Sequence, residues 1–163
     1  MKLPHSLTAL KSILIPGLAL CASLLASPVA LAHSDAALDA LPSPHGGQVR
    51  MAGNWHFELV VAHQPAALGD KPVVIHVTDH AGSPVPTQGA SGTLTLLSGK
   101  TRSTVQLTPD GDNRLKGQGR YASTAKLKAV AQITLAGQPV QQARYTPLAP
   151  RAGLNAAGDS HTH

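Results

Sequence analysis

The stretch Trp55-His56-Phe57-Glu58-Leu59-Val60-Val61 decides the fold. Strict alternation sends Trp55, Phe57, Leu59 and Val61 to one side of an extended chain and His56, Glu58 and Val60 to the other, which is the period of a half-buried β-strand and not of a helix. The same period returns in Val73, Ile75 and Val77, which turns His76, Thr78 and His80 to the opposite face. Working outward, β-rich runs recur about every ten residues with turn chemistry between them, the signature of a sandwich or barrel. Strands are predicted near 47–51, 55–62, 72–78, 92–98, 101–108, 113–120, 125–135 and 139–146. The turns are Ala52-Gly53-Asn54, Asp79-His80-Ala81-Gly82, Ser98-Gly99-Lys100, Pro109-Asp110-Gly111-Asp112 and Ala136-Gly137-Gln138. Leu94, Leu96, Val105, Leu107, Leu127, Ala129, Ala131, Ile133 and Leu135 continue the inner face, and Tyr121 and Tyr145 sit at strand ends where they close the sandwich edges.

Composition agrees with one all-β domain. The chain has 163 residues, only 13% of them charged, with 15 Gly and 13 Pro, so turns are frequent and long helices are not expected. Ahead of the domain, Lys2 and Lys11 precede an apolar run from Ile13 to Ala26 that is interrupted by Pro16 and Gly17, and Ala30-Leu31-Ala32 supplies small residues for a signal peptidase. This reads as a signal peptide over 1–32, cleaved between Ala32 and His33, and so as a periplasmic protein with no membrane span in the mature chain. A lipoprotein reading through Cys21 is discounted because Leu20 stands where a small residue is needed. Cleavage removes the one cysteine, so no disulfide is expected and stability must come from the core. Residues 33–45 read as a flexible leader, 46–147 as the β domain and 148–163 as a disordered tail containing His161 and His163.

The 13 Lys and Arg against 8 Asp and Glu give a net charge of +5, scattered and not striped, so no nucleic-acid partner is expected. The composition also lacks the usual enzyme signatures: no Gly-x-Ser-x-Gly elbow, no phosphate loop, no HExxH, and few carboxylates outside turns and termini. A non-enzyme is expected. Nine His, more than Asp and Glu together, are the outlying feature.

If the second and third strands pair antiparallel with Phe57 and Val77 on the core face, two registers remain open. One sets His56 opposite His80 and Glu58 opposite Thr78; the other sets Glu58 opposite His76 and His56 opposite Thr78. Either way His56, Glu58, His76 and His80 share one outer face, a three-imidazole, one-carboxylate set suited to copper, zinc or nickel. An exposed strand His is by itself an ordinary solvated residue; the grouping is what carries the metal reading. Val49 and Met51 are expected inward, through a three-residue loop that pairs them with Phe57 and Trp55. A two-residue loop would instead turn Met51 toward His56 and favour copper(I). His33, which cleavage would make N-terminal, and the tail His residues are read as weak, mobile metal contacts at most.

The run Pro44-His45-Gly46-Gly47-Gln48-Val49, followed by Gly53 and Trp55 to Val60, resembles the HGG opening of an accessory domain found in periplasmic adaptor subunits of heavy-metal efflux pumps of the resistance-nodulation-division type. Val77 to Val85 is similar to that domain's next strand and turn, and Ala90 to Gly99, Gly111 to Gly117 and Gln142 to Tyr145 are similar to small secreted proteins having this domain alone. The resemblance spans roughly residues 44–147 and implies an immunoglobulin-like antiparallel sandwich of 7–8 strands with a role near metal homeostasis. It adds His45 to the candidate ligands and implies an efflux-system or other envelope protein as partner. The expected cofactor is a divalent transition metal or copper. The competing expectation is a metal-free sandwich that binds an envelope protein through a strand edge.

Overall fold

The computed structural model describes residues 35–40 and 43–151. The expected signal segment and cleavage site, together with Cys21, His33 and the tail histidines, lie outside the described residues. Among the described residues no helix is long and apolar enough to cross a membrane.

Eight strands carry the chain: β1 (Gln48–Ala52), β2 (Trp55–Val61), β3 (Gly69–Thr78), β4 (Ser91–Ser98), β5 (Thr101–Pro109), β6 (Arg114–Tyr121), β7 (Lys128–Thr134) and β8 (Gln141–Tyr145), preceded by a one-turn helix α1 (Asp35–Asp39). They form an all-β, wholly antiparallel sheet in the order β1-β2-β3-β6-β5-β4-β7-β8. The expected sandwich is present, but its two halves are continuous. β5 and β6 share only the pairs Thr108↔Lys116 and Pro109↔Leu115, and there the sheet folds over on itself. At the opposite seam the amide of Thr146 donates to Oε1 of Gln48 on β1 (2.8 Å), which brings the arrangement close to a barrel.

The fold-over depends on two glycines. A Cβ on Gly117 would stand 2.3 Å from Val105 Cγ1, and one on Gly119 would stand 2.6 Å from both Leu96 Cδ1 and Val105 Cγ2. Bare backbone at these inward positions lets the far half of the sheet descend onto β6.

The inner face follows the alternation. Phe57, Leu59, Val73, Ile75, Val77, Leu94, Leu96, Leu115, Leu127 and Ile133 are essentially inaccessible to water, each fully buried aliphatic side chain contributing about 1.5–3 kcal/mol. The two tyrosines are buried inside this core and not merely at its edges. Tyr121 donates to the carbonyl of Pro72 (2.8 Å) and Tyr145 to that of Phe57 (3.2 Å), so each satisfies its hydroxyl while filling the sandwich. Burial raises the pKa of both phenols.

Two expectations fail, and for related reasons. β1 and β2 meet through a two-residue turn, Gly53-Asn54, with Gly53 at φ +62°; the pairs are Met51↔His56 and Val49↔Glu58. Met51 is therefore on the outer face and not in the core, while Gln48, Arg50 and Ala52 point inward and are buried. Both inward polar side chains find partners at the seam, although Arg50 Nε, 3.5 Å from Asp35 Oδ1, makes no hydrogen bond among the described residues. Arg50 forms a two-pronged pair with Asp39, Nη1 to Oδ1 at 2.8 Å and Nη2 to Oδ2 at 2.9 Å, and the Gln48 amide also donates to Asp39 (3.1 Å). The second failure is the leader. Residues 35–40 and 43–45 do not run free: α1 packs on β1, Leu38 is buried, and Asp39 is the acceptor that makes an inward Arg50 tolerable.

Hydrogen bonds from Arg50 and Gln48 hold the Asp39 carboxyl below the ordinary carboxylate range, against a smaller opposing effect of burial. The folded chain thus loses its proton more readily than the unfolded one, so the pair stabilises above the unfolded value near pH 3.9 and the benefit is lost as pH falls through the lower, folded value. Asp39→Asn is expected to cost about 2 kcal/mol at pH 7. It should also flatten the acid limb: thermal unfolding between pH 5 and pH 2 should fall less steeply in the variant than in the parent protein.

Candidate metal pocket on the outer face of β2 and β3

Of the two registers left open by the sequence, the structure adopts the one with Glu58 opposite His76 and His56 opposite Thr78. His56, Glu58 and His76 thus share the outer face, joined there by Val49 and Met51 from β1. The segment before β1 lies over this face and turns it into a pocket of about 190 Å³ lined by Leu38, Pro44, His45, Val49, His56, Glu58, His76, Thr78 and Gly82. Four of the five candidate residues line it. The fifth, His80, lies in the turn beyond β3 and stacks on His56 with ring centroids 5.0 Å apart.

Glu58 does not stand free as a ligand. Its Oε1 accepts the backbone amides of His45 and Gly47, each at 2.9 Å, and its Oε2 accepts Nδ1–H of His45 at 2.8 Å. Glu58 is buried and its bond from Gly47 forms away from solvent, while the two bonds from His45 lie at the rim, where the His45 side chain is 43% exposed. This explains the sequence pattern His45-Gly46-Gly47 followed by a strand Glu in physical terms. Gly46 takes φ +72°, and a Cβ on Gly47 would stand 2.5 Å from the carbonyl oxygen of Leu59 and 2.9 Å from Glu58 Cγ. The loop must be glycine to reach the carboxylate, and the carboxylate must be there to satisfy the loop.

One consequence falls on His45. A carboxylate can only accept, so Nδ1 carries the proton and the lone pair is at Nε2, the arrangement in which a carboxylate orients a metal-binding imidazole. His45 stacks on His76 with ring centroids 3.5 Å apart and planes 4° from parallel. Burial lowers the pKa of His76, with His45 and Arg114 acting in the same direction against Glu58, so the ring is neutral near pH 7 and able to donate a lone pair. Its Nδ1 is buried with no hydrogen-bond partner among the described residues.

As the side chains stand, no three His, Cys, Asp or Glu groups among the described residues converge on a single metal position. Two features account for this. Both Glu58 oxygens are committed to the loop, and lone pairs on parallel stacked rings run side by side and do not meet. Ligation needs the His45–His76 stack to open by rotation of one ring.

Sequence reasoning missed the residues that enclose the pocket. Leu38 belongs to Asp35-Ala36-Ala37-Leu38-Asp39, good helix formers behind an acidic start, a signal outweighed by the prolines that follow. Val49 was assigned inward together with Met51.

No protein-family model and no curated protein matches the chain. Its backbone is similar to the crystal structure of a DUF4426 family protein from Pseudomonas aeruginosa PAO1. The identity is 15% and the TM-score 0.40, covering 60% of this chain and 92% of that one. A likeness at that level carries no argument about function.

Proposed function

We propose that the protein is a metal-binding module of the cell envelope, not an enzyme, that takes copper, zinc or nickel in the pocket over β2 and β3, in association with heavy-metal homeostasis or efflux. The observation that carries this reading is the presence of three imidazoles, from His45, His56 and His76, in the lining of one small pocket where His76 Nδ1 is buried without a hydrogen-bond partner among the described residues. A buried polar atom left unpaired costs about 1–3 kcal/mol, a cost that a metal bond removes. Glu58 acts here as the group that orients His45, in place of the direct ligand role expected from spacing alone. His80 backs His56 from the rim. Met51, opposite His56 on the same face, gives the site a soft neighbour and favours copper(I) among the candidates. The HGG resemblance and the signal-like N-terminal segment support the envelope and efflux setting.

The test is a competition titration of the purified protein beginning at His33 with Cu(I), Cu(II), Zn(II) and Ni(II) against a chromophoric chelator. One equivalent of at least one metal should bind, and a His56→Ala, His76→Ala, His80→Ala triple variant should bind it at least about 100-fold more weakly, a difference of about 2.7 kcal/mol. Equal affinity in the triple variant and its parent would overturn the proposal.

A further inference from the structure

The other half of the sheet presents a face of a different kind. Along β4, β5, β7 and β8, Leu94, Leu96, Val105, Leu107, Ala129, Ala131, Ile133, Ala143 and Tyr145 are buried inward, so the alternate residues form the outer surface. The pairing places Leu97 between Arg102 on β5 and Lys128 on β7, and in the next row places Val130 between Thr95 on β4 and Arg144 on β8. Leu97 is 41% exposed. Together these side chains line a shallow groove of about 280 Å³.

Charge is segregated on this face. None of the four strands contains an Asp or Glu, and Arg102, Lys128 and Arg144 form no ion pair among the described residues. Cross-strand neighbours in a self-sufficient sheet surface ordinarily mix signs. Here three cations surround an exposed leucine with no acidic partner among the described residues.

We propose that this face docks an acidic segment of a partner protein, with carboxylates against Arg102, Lys128 and Arg144 and one aliphatic side chain seated between Leu97 and Val130. Charge complementarity selects the partner's sign, and the groove has room for one side chain, the geometry of an anchor within a polar rim. A lipid surface fits less well, because the face carries no Trp, Tyr or Phe to sit among headgroups. The same lack of aromatic stacking partners disfavours single-stranded nucleic acid. This docking face is independent of the metal pocket, which lies on the outer surface of the other half.

The experiment is fluorescence anisotropy with a labelled peptide of alternating Asp and Glu around a single Leu, set against the same peptide with Ala in place of Leu, at low and moderate salt. The Leu peptide should bind the intact protein more tightly than the Ala peptide, and salt should weaken it. An Arg102→Glu, Lys128→Glu, Arg144→Glu variant should bind at least about 30-fold more weakly, the sum of three partly exposed ion pairs. Leu97→Ser should lose about fivefold. All substitutions are on the surface, so thermal unfolding should stay close to that of the parent and separate lost docking from lost folding. Histidine substitutions in the metal pocket should leave peptide binding unchanged. Absence of peptide binding, equal affinity for the two peptides, or unaltered binding in the charge-reversed variant would overturn the proposal. So would capture of the protein by phosphatidylglycerol vesicles without binding of the peptide.

Discussion

Glu58→Ala is expected to destabilise the protein by about 3 kcal/mol, lowering Tm by roughly 10 °C. Two amides and one imidazole N–H converge on this buried carboxylate from the loop ahead of β1. Truncation leaves the buried Gly47 amide facing a void, at about 1–3 kcal/mol for a buried donor without a partner, and removes two charge-assisted bonds from His45 at the rim. The isosteric Glu58→Gln separates this structural role from the orienting one. Its carbonyl oxygen can still accept both amides, so the loss of stability should be nearer 1 kcal/mol. Its NH2 group, however, faces His45 Nδ1 and forces the proton to Nε2, where a metal would bind. Glu58→Gln should therefore keep most of its stability yet bind metal about 10–100-fold more weakly. Thermal unfolding followed by the fluorescence of Trp55, together with the chelator competition, reads both quantities from one set of variants.

Gly119→Val is the second large effect, expected at about 3 kcal/mol or more. The glycine lies under the fold-over of the sheet, where even a Cβ would stand 2.6 Å from Leu96 Cδ1 and Val105 Cγ2. Neither neighbour can swing away, since Leu96 and Val105 are themselves packed in the core. The added side chain must push β4 and β5 off β6, and the sheet is thinnest there, with only two residue pairs joining β5 to β6. Gly69→Ala supplies the contrast. No atom lies within 4 Å of its would-be Cβ and its backbone is not left-handed, so that change should alter stability by less than about 0.5 kcal/mol. Comparable losses at the two glycines would mean that close approach is not what Gly119 provides.

These positions show where the sequence was legible. Strand positions and the inner face were readable because period-two alternation leaves little choice wherever one side is strongly apolar. Phe57, Leu59, Val73, Ile75 and Val77 could point only one way. The fold-over glycines were hidden by the same rule, since Gly117 and Gly119 leave blanks in the alternation between Leu115 and Tyr121. β1 failed because its pattern is balanced. Val49 and Met51 are apolar and looked like core, but Gln48 and Arg50 have partners inside at Thr146 and Asp39. One of those partners belongs to the leader, which a local reading set aside. The pocket followed the same division. The shared face of His56, Glu58 and His76 was visible from strand pairing, whereas the commitment of Glu58 to the His45-Gly46-Gly47 loop depends on tertiary packing that spacing cannot reveal.

The central claim is that the histidines of the β2–β3 face, and not those of the termini, take the metal. It is tested most directly by following imidazole 15N signals of histidine-labelled protein while one equivalent of Cu(I), or of diamagnetic Zn(II), is added. The ring resonances of His45, His56 and His76 should shift in proportion to added metal and saturate at one equivalent, with the His76 Nδ1 or Nε2 signal moving to the position of a coordinated nitrogen. Movement confined to His33, His161 and His163, with the three pocket rings unchanged at one equivalent, would contradict it.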